Sequence, residues 1–475
     1  MTQTDNVAVA FALAFSAGLG AVSAANAQTF EVETGIEMLQ SPNTTIEGLH
    51  RLYIGRRVSP TFSVGQGIYS AAAGDAGGAF FWGFEGVAHL PLSSRFGLSF
   101  SGFAGGGGGA AQVNGDGTML RAGIALDYQL SRDWDVQLTT SWIRISGAPI
   151  DGPAYGLGLR YRFGDRATPG WAPEFDAITL GATYMQAASG TRTRSGSAQP
   201  AIALVGAQVL FDVSERTQLS FGAAGAADGA QGYMQIMAGA RQRFALNSLS
   251  FFAEGGLGFG GGGDVDTGNG VLLRAALGIS VPVSRAFDLE LAVGAQGAAS
   301  GDYRASTVAL NLTRVFNRPG QAATDQRWAF SSGISVQQTH AGYFQNPANT
   351  SNAVFMQESA LDYFVGQSLY VTGNAQTTVG GGAAGYAIGM MGLGYEFTLS
   401  DRWSLSVEGL LGAAGGGGVN AAGGIIGGLR AELDYRVGEA WRLSLGVGQL
   451  TALRGNGMSP TTLTLGAKIP FTTHR

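Results

Sequence analysis

The stretch Leu429 to Val447, LRAELDYRVGEAWRLSLGV, decides the fold because it contains two alternating strands and the tight turn between them. In its first arm, from Leu429 to Val437, apolar residues alternate with mostly charged ones, which is the period of two expected of a β-strand. The second arm, from Trp441 to Val447, repeats the alternation. Since only residues 438–440 separate the arms, the stretch predicts a β-hairpin.

Similar turns recur along the whole chain in three groups of three. Within a group they are about 35 to 40 residues apart, which leaves room for two strands and one further connection between successive turns. The nine turns lie at residues 58–62, 92–96, 130–134, 213–217, 246–250, 283–287, 365–369, 399–403 and 437–441.

Aligning the turns reveals an internal repeat of about 145 residues, and each copy contains eight predicted strands. The copies span about residues 30–164, 176–316 and 328–471. A Leu-Arg-Ala step follows a glycine-rich connection and opens the sixth predicted strand of every copy. The three steps are Leu120-Arg121-Ala122, Leu273-Arg274-Ala275 and Leu429-Arg430-Ala431.

The composition points to a membrane protein. Charged residues are only 13% of the chain, well below the quarter that is typical of soluble domains. In a bilayer, strands cross only as a closed barrel, because every backbone N–H and C=O needs a partner. We therefore predict an all-β, transmembrane antiparallel barrel. The absence of cysteine excludes disulfides, and a net charge of −5 implies no nucleic-acid partner.

The amino terminus resembles a signal peptide. An apolar run from Val7 to Val22 precedes Ala25-Asn26-Ala27, a small-x-small cleavage pattern. We assign residues 1–27 to the signal peptide and residues 28–475 to the barrel. The alternative is an amino-terminal membrane helix, although the run is short and rich in Ala and Gly.

The carboxy-terminal strand carries a resemblance to bacterial outer-membrane β-barrel proteins. Thr464, Gly466, Ile469 and Phe471 fit the pattern of a polar residue, a glycine, a hydrophobic residue and a terminal aromatic by which such barrels are identified for assembly. The resemblance implies an outer-membrane location, a lipid environment and recognition by the barrel-insertion machinery. The chain departs from the pattern by continuing four residues past Phe471.

The repeat is compatible with one barrel of about 24 strands or with three barrels of eight. Inward positions such as Gly97, Ser99 and Ser101 carry small side chains, which would leave an eight-stranded barrel underfilled. We therefore favour one barrel of about 24 strands. Inward-folded glycine-rich loops, or a periplasmic gating or export partner, would have to close so wide a lumen.

Charged residues of the sixth strands are the candidate lumen site. Arg121, Arg274 and Arg430 would stand around a single lumen and favour anionic solutes. The alternative is that each arginine pairs with a neighbouring carboxylate, such as Asp127 or Asp434.

Aromatic residues follow several of the turns and are candidates for an interfacial girdle. These residues are Trp134, Phe287, Trp403 and Trp441. The alternating run of Phe80, Trp82 and Phe84 is predicted to face lipid, with a sugar-stacking stripe as the alternative.

No catalytic motif is recognisable, so we expect no enzyme, cofactor or metal. The four histidines, His50, His89, His340 and His474, lack metal-ligand spacing. The predicted function is a passive outer-membrane channel or the exit conduit of an export system, for example for a polysaccharide. The alternative is a structural or adhesive barrel protein without transport activity.

Overall fold

In the computed structural model, 24 antiparallel strands form three closed barrels of eight strands each. In the described residues no helix is long and apolar enough to span a membrane. The proposed signal peptide, residues 1–27, lies outside the described residues. The structure describes residues 30–162, 174–246, 249–316, 325–438 and 441–473.

The first barrel closes because its first and last strands pair, with Gly35 opposite Gly158. Alternation of apolar and polar residues places one face of each strand outside and the other in the lumen. Its strands are β1 (Phe30–Leu39), β2 (Ile46–Ser59), β3 (Phe62–Gly74), β4 (Phe80–Pro91), β5 (Phe96–Gly108), β6 (Thr118–Gln129), β7 (Trp134–Ile145) and β8 (Ile150–Arg162).

The second barrel closes in the same way, with Tyr184 opposite Val308. Its strands are β9 (Glu174–Ala187), β10 (Ile202–Asp212), β11 (Thr217–Asp228), β12 (Met234–Leu246), β13 (Leu249–Gly261), β14 (Val271–Pro282), β15 (Phe287–Ala298) and β16 (Arg304–Val315).

The third barrel closes through the carboxy-terminal strand, with Gly333 opposite Gly466. Its strands are β17 (Gln326–Gln338), β18 (Ala353–Phe364), β19 (Leu369–Gly380), β20 (Ala387–Thr398), β21 (Trp403–Gly415), β22 (Ile425–Arg436), β23 (Arg442–Ala452) and β24 (Thr461–Thr473).

The all-β antiparallel barrel fold is confirmed, but the favoured single barrel of about 24 strands is wrong. The eighth strand of each copy pairs with the first strand of the same copy. The eight-stranded lumens are not underfilled, because large side chains lie over inward glycines. A Cβ added to Gly278 would lie 2.2 Å from the Phe252 ring, and one added to Gly394 would lie 2.2 Å from the Tyr370 ring.

The outer faces of the barrels carry an apolar surface. In β6, Arg121 and Asp127 are buried in the lumen, whereas Ile124 and Leu126 are exposed on the outside. The same separation recurs in the other barrels, as at Leu277 and Leu445. A closed barrel with an apolar exterior satisfies its backbone internally and is suited to lipid.

The two ends of each barrel differ. We call the end with the connection between β2 and β3 and its equivalents the turn end, and the opposite end the loop end. Apolar side chains pack across each lumen near the loop end, for example Ile46, Ile145 and Ile150 in the first barrel. Equivalent clusters surround Tyr233 in the second barrel and Tyr386 in the third. Ion pairs occupy the rest of the first and third lumens.

Candidate functional site: the junction of the three barrels

The connection after the fifth strand of every barrel begins with a left-handed turn. In the first barrel, φ is positive at Gly109, Ala110 and Ala111, and the amide of Gln112 donates to the carbonyl oxygen of Gly109 at 3.1 Å. Left-handed backbone disfavours residues that have a Cβ, which accounts for the glycine-rich sequence. The equivalent bonds join Val265 to Gly262 at 3.0 Å and Val419 to Gly416 at 3.1 Å.

These connections link the barrels into a ring. The connection after the third strand of one barrel contacts the connection after the fifth strand of another, in the order first to second, second to third and third to first. Because each contact joins two different surfaces, three such heterologous contacts complete a closed ring of three barrels. The corresponding hydrogen bonds run from Gly77 N to Gly268 O (2.7 Å), from Gln231 Nε2 to Val419 O (2.9 Å) and from Ala384 N to Gly115 O (2.9 Å), and Gly385 N also donates to Gly107 O at the end of β5 (2.8 Å).

Glycine is required where the barrels meet because backbones approach within hydrogen-bonding distance. A Cβ added to Gly415 would lie 2.4 Å from the amide nitrogen of Gly232, and one added to Gly78 would lie 2.4 Å from that of Gly262. Side chains at these positions would separate the backbones. The glycine-rich connections therefore join neighbouring barrels. The sequence had suggested instead that they fold into one wide lumen.

The ring surrounds an open cavity of about 890 Å³ at the loop end. All three barrels contribute to its wall, and exposed residues such as Asn114 lie at its rim. The wall includes Phe80, Gln112 and Asn114 from the first barrel, Arg194 and Asp264 from the second, and Phe344 and Asn346 from the third.

The charged groups of this cavity are already engaged. Arg194 forms an ion pair with Asp75 of the neighbouring barrel. The hydroxyl and the amide of Ser195 both donate to the Asp264 carboxylate. Donation from the Ser195 hydroxyl holds the pKa of the Asp264 carboxyl below its ordinary value of 3.8. The cavity wall thus carries one positive and one negative side chain.

The three candidate arginines lie in three separate lumens and form no ring. Arg121 is 4% exposed and donates to Glu37 at 3.0 Å, whereas Asp127 pairs with Arg160 at 2.7 Å. A single lumen lined by all three arginines is incompatible with three closed barrels.

The arginines of the other barrels also contact carboxylates that the sequence did not single out. Arg274 lies 3.2 Å from Glu254, and Arg430 donates to Glu408 at 2.8 Å. Arg430 also lies deeper than its counterpart. It stands five residues after the start of β22, whereas Arg121 stands three residues after the start of β6.

Lys468 is a lumen residue that sequence reasoning missed. Its ammonium lies 3.3 Å from Asp434, 3.7 Å from Asp362 and 2.5 Å from Glu432, and all four residues are buried. It stands three residues before Phe471, as Arg160 stands three residues before Phe163. The alignment of these strand ends was the available signal for a recurrent lumen cation.

The candidate girdle aromatics lie at the turn end. Trp134, Phe287 and Trp403 each begin a strand and are between 37% and 43% exposed. Trp441 directly precedes β23. The rings of Trp134 and Trp403 pack on Tyr161 and Tyr435, with centroid distances of 4.8 and 4.7 Å.

The proposed assembly signal lies in β24, the strand that closes the third barrel. Thr464 and Gly466 face the lumen side of that strand, where Thr464 is 7% exposed. Phe471 stacks on Trp328, with ring centroids 6.3 Å apart. Trp328 in turn lies 5.8 Å from Phe316 of the second barrel, so the signal strand borders a contact between barrels.

The aromatic run of β4 does not form a lipid-facing stripe. Phe81 and Glu85 face the lumen, so the alternating residues Trp82 and Phe84 point outward. Yet Trp82 is 9% exposed and Phe84 is 2% exposed, because they lie where the barrels meet. Phe80, the third member of the run, lines the junction cavity.

One side-chain cluster in the first barrel has the composition of a metal site. Ligand atoms of Glu31, Glu33 and His89 lie within 4.8 Å of one another. However, Arg160 bonds to His89 Nδ1 at 2.6 Å, and Arg51 pairs with Glu33 at 2.7 Å. Since neighbouring guanidinium groups already neutralise the carboxylates, we assign no metal to the cluster.

No family model and no curated protein matches the sequence. Among solved structures, the chain aligns with Pseudomonas aeruginosa OccK11 (OpdR) at 11% identity and a TM-score of 0.24, covering 94% of this chain and 96% of that one. It aligns with the Neisseria meningitidis FrpB iron transporter at 9% identity and a TM-score of 0.30, covering 96% and 84%. Likeness at this level carries no argument about function. By its strand pairing and apolar exterior, the chain has the architecture of bacterial outer-membrane β-barrel proteins.

Proposed function

We propose that this chain is an outer-membrane protein that spans the bilayer with three sealed barrels and uses its loop end as a binding surface. The filled lumens carry the proposal. Near the loop end, apolar side chains such as Tyr69 and Tyr386 pack across the barrels. Below them, buried ion pairs such as Arg430 with Glu408 fill the remaining space. Eight-stranded barrels have interiors just wide enough for side chains to fill.

The orientation follows from the usual topology of outer-membrane barrels. Short turns and both termini face the periplasm, and longer loops face outward. We therefore place the turn end, with Trp134 and Trp403, at the periplasmic interface and the junction cavity at the outer surface. Export through a signal peptide at residues 1–27 and recognition of β24 by the insertion machinery belong to this proposal. It includes no enzymatic activity, no cofactor and no gating partner.

Conductance of the full chain in planar lipid bilayers tests the proposal. We expect no steady current above the baseline across the range of voltages that the bilayer tolerates. Insertion is checked in parallel by protection of the strands from protease in liposomes. A steady current from inserted protein that changes when a lumen residue is replaced, as in Glu408→Gln, would contradict the proposal.

A narrow conduit through the second barrel is the second candidate function. This lumen retains a cavity of about 70 Å³ beside Arg274, lined by small residues such as Gly206 and Ala309. It would pass water or small ions after the cluster around Tyr233 opened. Export of a polymer such as a polysaccharide would need a far wider lumen. Any current through this barrel should fall in Ala309→Phe and be unaffected by Ala154→Val, a lumen substitution in the first barrel.

A further inference from the structure

The geometry points to the junction cavity as a binding site for a neutral oligosaccharide. This inference rests on the proposed function, because it needs the loop end to face the outside. The cavity volume of about 890 Å³ falls within the range of ordinary small-ligand pockets. Such a volume accommodates a few linked sugar rings.

The charge of the wall favours an uncharged ligand. Arg194 is paired with Asp75, and Asp264 accepts two hydrogen bonds from Ser195. An anionic ligand would compete with Asp75 for the guanidinium and would approach the Asp264 carboxylate. A cationic ligand would be repelled by the positive charge of Arg194. A neutral ligand leaves both the Arg194–Asp75 pair and the Ser195–Asp264 contact intact.

Polar groups that can bind hydroxyls remain free on the cavity wall. In the part of the chain that the structure describes, the side-chain amides of Gln112 and Asn114 have no hydrogen-bond partner. Asn346 accepts a bond from the amide of Ala348 at 3.0 Å, and its Nδ2 has no partner among the described residues. Each primary amide offers two donors and an acceptor, which suits ligands whose hydroxyls both donate and accept.

Two aromatic rings add apolar surfaces to these amides. Phe80 lies on the wall contributed by the first barrel, and Phe344 on the wall contributed by the third. Phe344 is 9% exposed, so only a small part of its ring reaches the cavity, and an edge-to-face contact with Tyr343 holds it there, with centroids 4.9 Å apart. Sugar rings combine an apolar C–H face with a rim of hydroxyls, so they match a wall that combines aromatic rings with amides.

An array of immobilised neutral and uronate-containing oligosaccharides, probed with the labelled full chain in nanodiscs, tests this inference. We expect binding to at least one neutral oligosaccharide. The affinity for that compound should fall at least fivefold in Asn114→Ala and in Phe344→Ala. Gln112→Trp replaces one of the free amides with a bulky indole and should weaken binding at least as much. Gln338→Ala removes an exposed amide that does not line the cavity and should leave binding unchanged.

Binding of uronates alone, no binding at all, or binding that is unchanged in all three cavity variants would overturn the inference. Thermal unfolding of each variant separates loss of the site from loss of the fold. Bilayer conductance of the same preparation separates this inference from the proposed function. A protein that conducts no current and binds no sugar would overturn only the sugar site. A protein that conducts current would overturn the proposal that the barrels are sealed.

Discussion

The backbone amide of Gly385 in the third barrel donates to the carbonyl oxygen of Gly107 in the first barrel at 2.8 Å. The first and last copies of the repeat therefore touch directly, although most of the chain separates them in sequence. With the contacts from Gly77 to Gly268 and from Gln231 to Val419, this bond closes the ring. A chain of two copies could form only one of the three contacts, which gives a physical reason for three copies.

A methyl group at the junction should loosen the ring. In Gly415→Ala the new Cβ would lie 2.4 Å from the amide nitrogen of Gly232, so the second and third barrels must separate locally. We expect the distance distribution between spin labels on these barrels to broaden and lengthen, as measured by pulsed electron resonance. Gly389→Ala is the matched control, because its Cβ would meet nothing within 4 Å. Equal distributions in both variants would contradict the close-approach argument.

Replacement of alanine by glycine in the left-handed turn of the first barrel should stabilise the protein. Ala110 and Ala111 both have φ of 54°, a conformation that costs roughly 1–2 kcal/mol per residue with a Cβ. Glycine relieves that cost but loses more backbone entropy on folding, roughly 0.5–1 kcal/mol. We expect Ala110→Gly to raise the free energy of unfolding by about 0.5–1 kcal/mol, measured by denaturant titration. The position equivalent to Ala110 in the third barrel is Gly417.

The opposite result is expected for a strand alanine. Ala122 lies in the middle of β6, where glycine should destabilise by about 0.5–1 kcal/mol. If both substitutions lower the stability, strain in the left-handed turn is not a significant part of the energy.

Period-two alternation and turn spacing sufficed to predict the strands, because burial of one face is a local property of each strand. They could not predict how the strands close. Whether β8 pairs with β1 or continues into β9 depends on pairing between residues as distant as Gly35 and Gly158. The small inward residues were misleading, since Gly394 is small in order to accommodate Tyr370.

The sequence likewise predicted only part of the junction between the barrels. The glycine clusters stood out, but a cluster such as residues 260–263 does not identify its neighbour. That Gly262 meets Gly78 follows from the arrangement of whole barrels. The Leu-Arg-Ala alignment also misled, because Arg430 lies two residues deeper in its strand than Arg121.

Loss of the single ammonium among three lumen carboxylates should be severe. Lys468 lies within 3.7 Å of Asp362, Glu432 and Asp434. Breaking a buried pair by removing one partner costs about 3–5 kcal/mol, so Lys468→Met should lower the free energy of unfolding by at least that amount. Asp434 also lies 3.9 Å from Arg442, but Asp434→Asn leaves Lys468 paired with Asp362 and Glu432, so it should lower the free energy of unfolding much less. Equal losses of unfolding free energy in the two variants would contradict an excess of negative charge around Lys468.

Acid should weaken the contact between Ser195 and Asp264 only at a pH below the ordinary pKa of an aspartate carboxyl. The pKa of the Asp264 carboxyl is held below its ordinary value of 3.8 by the Ser195 hydroxyl. Its stabilisation is therefore fully present above about 3.8 and is lost as the pH falls through the lower folded pKa. Carbon NMR of labelled aspartate, assigned by comparison with Asp264→Asn, should give a midpoint below 3.8. In Ser195→Ala the midpoint should rise, and an unchanged midpoint would exclude the hydroxyl as the cause.

Two outward-facing phenylalanines of the first barrel should respond differently to truncation. Phe84 is 2% exposed and Phe100 is 43% exposed, so Phe84 contacts protein where Phe100 faces lipid. Phe100→Ala loses mainly the transfer energy of the ring, because lipid fills the vacated space. Phe84→Ala also leaves a cavity between barrels that protein atoms fill only partly. We expect Phe84→Ala to cost on the order of 2 kcal/mol more than Phe100→Ala in denaturant titrations in liposomes. A similar cost for both would mean that lipid reaches the space around Phe84 and that this residue does not pack against a neighbouring barrel.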